Sequence, residues 1–152
     1  MTLADLERLL AELDPALSGL SEPWCVIGSA AMMIAGAPVA DCPDLDIMTT
    51  AAGAATLETA WDAWRDRAYA PTSGEVFRSR FSGYAFREGR VEVMGDLLLM
   101  QAGRWTPVAI PAVVATCLAG ITVNTPDRQA QIDLFRLFGR PKDLAKAALL
   151  AG

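Results

Sequence analysis

The stretch that most constrains this chain runs from Trp24 to Ile47: Trp24-Cys-Val-Ile-Gly-Ser-Ala-Ala-Met-Met-Ile-Ala-Gly, a short turn, then Asp44-Leu-Asp-Ile. An apolar run leads into Gly28-Ser29, and two carboxylates follow, two positions apart and flanked by apolar residues. In a strand, residues i and i+2 share a face, so Asp44 and Asp46 point one way while Leu45 and Ile47 enter the core. Two acids on one face repel each other, and a cation relieves the repulsion. Gly28-Ser29 at the start of a helix offers backbone N–H groups to an anion. The stretch therefore reads as a divalent metal site next to a phosphate site, between strands and helices of an α/β chain.

Composition narrows the chemistry further. At 152 residues, with 53% hydrophobic and 20% charged residues, the chain is expected to form a single domain, 1–152, with a real core. A net charge of −5 argues against a broad nucleic-acid-binding surface. The absence of histidine removes Ser-His-Asp and Cys-His catalysis and His-ligated zinc. Cys25, Cys42 and Cys117 are odd in number and far apart in apolar surroundings, which suggests buried free thiols in a reducing cytoplasm. No basic-then-apolar leader is visible at the N-terminus, and no uncharged run is long enough to span a membrane.

Read in order, Thr2 caps a first helix carrying Leu3, Leu6, Leu9, Leu10 and Leu13 on one face, which Asp14-Pro15 ends. Trp24–Ile27 is a buried strand, Ser29–Ala35 a short apolar helix and Asp44–Thr49 a second strand. Residues 50–53 read as a small-residue loop, and 54–68 as a helix with Leu57, Trp61 and Trp64 at helical spacing, the tryptophans serving core or interface. Residues 75–81 alternate as a strand, Ser82-Gly83 signals a turn, and Tyr84–Arg87 turns at Glu88-Gly89 into strand Arg90–Met94. There Glu92 faces opposite Val91 and Val93, a carboxylate that needs a partner. Trp105–Ile110 is an edge strand because Pro107 lacks a ladder donor. Residues 111–118 read as helical and 121–123 as a short strand. Thr125-Pro126 starts a helix that ends at Gly139, and Pro141 opens a last helix over 142–150. Arg78, Arg80, Arg87 and Arg90 read as a solvated sheet face, with a substrate-side positive strip as the alternative. The architecture is a small mixed β-sheet with helices mainly on one side, plus C-terminal helices.

The order strand, Gly28-Ser29, helix, strand with Asp44-x-Asp46, then a later strand with Glu92 resembles the nucleotidyltransferase superfamily of the DNA polymerase β type. It is most similar to small bacterial members of minimal, abortive-infection or antibiotic-modifying kind. Leu137-Phe-Gly-Arg-Pro-Lys-Asp143-Leu looks like the Arg-x-Lys-Asp segment at the end of such chains. The resemblance implies the nucleotidyltransferase fold and transfer of a nucleoside monophosphate from an NTP to a hydroxyl on a small molecule, a protein or RNA. It also implies roles. Gly28 lets the backbone approach the nucleotide, and Ser29 bonds a phosphate. Asp44 and Asp46 hold Mg²⁺, Glu92 completes a two-metal site and accepts the proton of the attacking hydroxyl, and Lys142 pairs with the triphosphate. Two metal ions about 4 Å apart clamp the attacking and leaving oxygens, which needs no histidine.

Blander readings stand beside these. Gly28-Ser29 also suits a plain capped turn, Glu92 an ion pair with Arg78, Arg80 or Arg90, and Lys142-Asp143 a solvated first helical turn. Asp96 competes with Glu92 as the third carboxylate, and Asp41-Cys42-Pro43 puts an additional acid where relatives carry a basic residue or threonine. The functional alternative is a non-catalytic, antitoxin-like or regulatory protein acting on a partner. With no separate acceptor-binding domain in the chain, a homodimer or a cognate partner protein is expected.

Overall fold

Alternation along the strands divides the apolar residues between two faces of a sheet, and both faces are used. The computed structural model describes every residue except Thr72. Its elements are α1 (Leu3–Ser18), β1 (Trp24–Ile27), α2 (Gly28–Ile34), β2 (Asp44–Thr49), α3 (Ala51–Ala60), a 3₁₀ turn (Asp62–Trp64), β3 (Phe77–Ala85), β4 (Arg90–Gln101), β5 (Arg104–Pro107), β6 (Val113–Leu118), β7 (Ile121–Pro126), α4 (Arg128–Phe138) and α5 (Pro141–Ala151). The main sheet runs β1-β2-β4-β3, with β5 on the far half of β4, and β6-β7 form a separate hairpin. Within the main sheet β2 and β4 are parallel and the other pairs antiparallel. This is a mixed α/β fold.

One face carries Val26, Leu45, Ile47, Val91 and Val93 against the α1 leucines and Leu57 of α3. The opposite face carries Cys25, Ile27 and Met48 against Leu134 of α4, so helices cover both sides rather than mainly one. A third cluster joins Met32 of α2 to Ile132 and Phe135 of α4 and to Ala147 and Leu150 of α5. The C-terminal helices are thereby pinned against α2 through Met32.

Local chemistry explains where the elements depart from sequence expectation. The Thr2 hydroxyl accepts from the Asp5 N–H, and Asp5 accepts from the Thr2 N–H, forming a capping box. Helix α1 continues through Pro15: the ring is solvent-exposed near the helix end, and Leu17 beyond it is buried with Leu13. Residues 50–53 are a helix start rather than a loop, since Thr50 Oγ1 accepts from the Gly53 N–H at 3.0 Å. That helix ends at Ala60, not near residue 68, and Trp61 folds into the core edge-on to Tyr84 and Phe86. Strand β3 passes straight through Ser82-Gly83: Ser82 is buried and accepts from the Tyr84 hydroxyl, and a Cβ at Gly83 would meet Arg90 Nη2 at 2.8 Å. Residues 113–118 form a strand rather than a helix. Ala119 and Gly120, with φ of 51° and 80°, make the two-residue turn that joins β6 to β7. Asp127, not Thr125, caps α4, and Thr125 is buried in β7. Cys25 and Cys42 are buried free thiols, whereas Cys117 is exposed. Among the described residues no helix is long and apolar enough to cross a membrane.

Candidate active site: an acidic cluster across two parallel strands

Parallel pairing of β2 with β4 sets Asp44 beside Arg90 and Asp46 beside Glu92. All four side chains leave the sheet on the face opposite Leu45, Ile47, Val91 and Val93. Oxygens of Asp44, Asp46 and Glu92 lie within 4.8 Å of one another. Asp46 Oδ1 and Glu92 Oε1 are buried and have no hydrogen-bond partner among the described residues. Burial is the largest influence on Asp46, and the neighbouring charges of Asp44 and Glu92 add to it; together they push its carboxyl well above the usual range. Burial and Glu92 also raise Asp44, against the opposing pull of Lys142, Lys146 and Arg90. Three hard oxygen donors, of which the Asp46 and Glu92 oxygens lack a hydrogen-bond donor among the described residues, fit a divalent cation of the Mg²⁺ type.

Gly28, the first residue of α2, closes one side of the cluster. Its φ is +72°, and a Cβ there would lie 3.1 Å from Asp46 Oδ2. An L side chain would therefore be strained in its backbone and crowded against the cluster. Ser29 follows, nearly buried, and no side chain caps the start of α2. On the other side, α5 brings exposed Lys142 near Asp44. Half-buried Lys146, one helical turn later, acts on both Asp44 and Asp46 and sits 5.6 Å from the Phe135 ring. Asp143 is not a solvated helix acid: it is buried, and Arg140 donates to it through Nε at 2.6 Å and Nη2 at 3.0 Å.

The arginines separate by role. Arg78 stacks on Trp105, and Arg80 pairs with Glu58 at 2.9 Å. Arg90 leaves the solvated strip expected of it. Its guanidinium lies 3.4 Å from the Tyr69 ring centre and pairs with Asp66 at 3.3 Å and Glu92 at 3.5 Å. Its Nε and Nη2 are buried and have no hydrogen-bond partner among the described residues. Tyr69 stands over the same corner, where interaction with Glu92, then burial, pushes its hydroxyl up to about 12. Asp96 stays outside. Between Arg80↔Gly95 and Arg78↔Leu98 the β3–β4 register slips, and Asp96 occupies that bulge, exposed, at φ 50°. Asp41 is exposed one residue before buried Cys42, whose sulfur donates to the Asp44 carbonyl at 3.4 Å.

Sequence reasoning missed Tyr69 and Lys146 and underrated Arg90. Arg90 stands two before Glu92, and Lys146 four after Lys142, so strand and helix periodicity carry both signals. Tyr69 lies in a loop between elements and leaves no periodic trace.

No family model matches the sequence, and no curated protein matches it either. Solved structures do. A proposed nucleotidyltransferase of Thermotoga maritima superposes with a TM-score of 0.79 at 20% identity, covering 96% of this chain and 92% of its own. The antibiotic-resistance factor ANT(2'')-Ia gives 0.60 at 13% identity, over 99% of this chain and 84% of that one. The lincosamide antibiotic adenylyltransferase LnuA, with lincomycin bound, gives 0.59 at 12% identity, over 100% and 98%. The chain has the nucleotidyltransferase fold.

Proposed function

We propose that this chain is a Mg²⁺-dependent nucleotidyltransferase that moves a nucleoside monophosphate from an NTP to a hydroxyl acceptor. The observation that carries the proposal is the convergence of Asp44, Asp46 and Glu92 beside Gly28, on a fold shared with adenylyltransferases. Asp44, Asp46 and Glu92 hold the divalent ions, which when bound neutralise the triphosphate and polarise the reacting phosphoryl group. Gly28 lets the protein backbone approach the nucleotide, and the Ser29 hydroxyl bonds a phosphate oxygen. Lys142 neutralises triphosphate charge from α5, and Lys146 supports it from the next turn. Glu92 takes the proton of the acceptor hydroxyl. Arg90 holds one side of that carboxylate.

The acceptor is a small molecule such as an antibiotic, a protein or an RNA end, and the reaction takes place in the cytoplasm. Titration calorimetry with ATP, CTP, GTP and UTP in Mg²⁺ tests the reading: at least one NTP binds, and D44A/D46A abolishes it. If no NTP binds at millimolar concentration, the reading fails and the antitoxin-like, partner-binding alternative takes its place. Labelled NTP incubated with lysate then identifies the acceptor by the molecule that takes up label.

A further inference from the structure

Strand β6 is unlike the rest of the surface. From Trp105 to Pro126 the chain holds no Asp, Glu, Lys or Arg, although 20% of the whole chain is charged. Nevertheless Val113, Val114, Ala115 and Cys117 are exposed, the two valines at 42% and 44%. Among the described residues β6 pairs only with β7, so its other side is an open edge. Such edges are normally protected by Lys, Pro or a bulge, and β6 has none of them.

The hairpin turn fixes which groups that edge presents. Leu118 and Ile121 flank the two-residue turn and form its hydrogen-bonded pair, so Thr116/Val123 and Val114/Thr125 are hydrogen-bonded as well. The backbone N–H and C=O of Val113, Ala115 and Cys117 therefore point away from β7. Pro126 opposite Val113 agrees, because proline has no N–H to give.

We infer that β6 pairs antiparallel with β6 of a second copy of this chain, about a two-fold axis at Ala115. This register uses every outward-facing residue. Ala115 meets its own copy, Val113 meets Cys117 of the second copy, and each pair exchanges two N–H···O bonds. Continuing the register brings the second copy's turn, Ala119-Gly120, against Pro111 and Ile110. There a pocket of about 390 Å³, lined by Trp24, Ile110, Pro111, Ala112 and Val113 among others, receives it. Charge permits the same occupant. Two copies with a net charge of −5 repel each other in general, and this uncharged strip lets them approach without apposed like charges.

Sedimentation equilibrium tests the inference on the intact protein. The wild type sediments as a dimer at micromolar concentration. A115P removes only an outward N–H, so it keeps its circular dichroism and melting profile while associating about tenfold more weakly or worse. V113C provides an independent test. Within one strand positions 113 and 117 are about 13 Å apart, too far for an internal disulfide. Across the proposed axis they face each other at about 5.5 Å between Cα atoms. Oxidised V113C therefore forms a covalent dimer, and V113C/C117S does not. A monomeric wild type overturns the inference and points to a strand from a different protein. So does a folded A115P that associates undiminished, or an oxidised V113C that stays monomeric.

Discussion

Replacing Asp46 by Asn separates a binding site from a structural ion cluster, because the two readings predict opposite signs. Without metal, Asp46 shares a buried space with Asp44 and Glu92, with oxygens within 4.8 Å. At an effective dielectric constant of about 20, two unit charges at that separation repel by about 3.5 kcal/mol. Asn removes both repulsions and the burial cost of the carboxylate, but loses the attraction of Lys146. Wild type already escapes part of the repulsion by protonation, because Asp44 and Asp46 are both held above the usual carboxylate range. The net gain for D46N in EDTA at pH 8 is therefore about 1–3 kcal/mol, equivalent to a rise in Tm of about 5 °C in a chain of this size. The pH dependence follows from the direction of the shifts. Groups raised in the fold contribute stability that is complete below the ordinary value of 3.8 and is lost as pH rises through the raised value. The advantage of D46N thus grows from acid to neutral pH and vanishes near pH 3. Adding Mn²⁺ or Mg²⁺ stabilises wild type by mass action and leaves D46N nearly unmoved, so the two melting curves cross. Differential scanning calorimetry across pH and metal concentration reads all of this. A D46N protein less stable than wild type in EDTA, with equal metal response in both, would refute the reasoning.

Three further outcomes follow from the same geometry. E92Q loses the metal-induced rise in Tm, whereas D96N retains it and changes stability by less than about 0.5 kcal/mol, since Asp96 is exposed in a bulge. G28A costs about 1–2 kcal/mol in urea unfolding because of its positive φ. G28A also weakens Mn²⁺ binding by crowding Asp46. K146A tightens Mn²⁺ binding in the absence of nucleotide, because a cation beside Asp44 and Asp46 is gone, and weakens NTP binding about tenfold; calorimetry that finds both unchanged removes Lys146 from the site.

How much of this was legible in the sequence depends on the signal each part leaves. Strands β1 and β2 fall where the apolar runs and their Gly and Pro boundaries put them, because both are short, buried and bracketed by turn residues. The segment over 113–118 read as helix because an apolar run without alternation suits either state, and the Ala-Gly turn after it was the overlooked arbiter. Thr50 was missed as a cap because Thr-Ala-Ala-Gly reads equally as a loop, and only the packing of Leu57 decides for a helix. For the candidate site, strand alternation places Asp44 and Asp46 on one face and Glu92 opposite Val91 and Val93. What joins them is the parallel register of β2 on β4, a long-range fact that no local window contains. Lys146 and Arg90 carry periodic signals that went unused. The Tyr69 contact with Arg90 comes from loop packing and leaves none.

That parallel register has a consequence for the life history of the molecule. A hairpin would bring its acids together as soon as a few residues emerged, but Asp46 and Glu92 meet only after α3, the Trp61 region and β3 have been threaded and packed. Pairing at such separation is late and slow among folding events. Until then the chain carries one Asp-x-Asp pair, open to water and lacking the third oxygen donor of Glu92. The three oxygen donors are thus assembled only once the parallel pairing of β2 with β4 has closed the sheet.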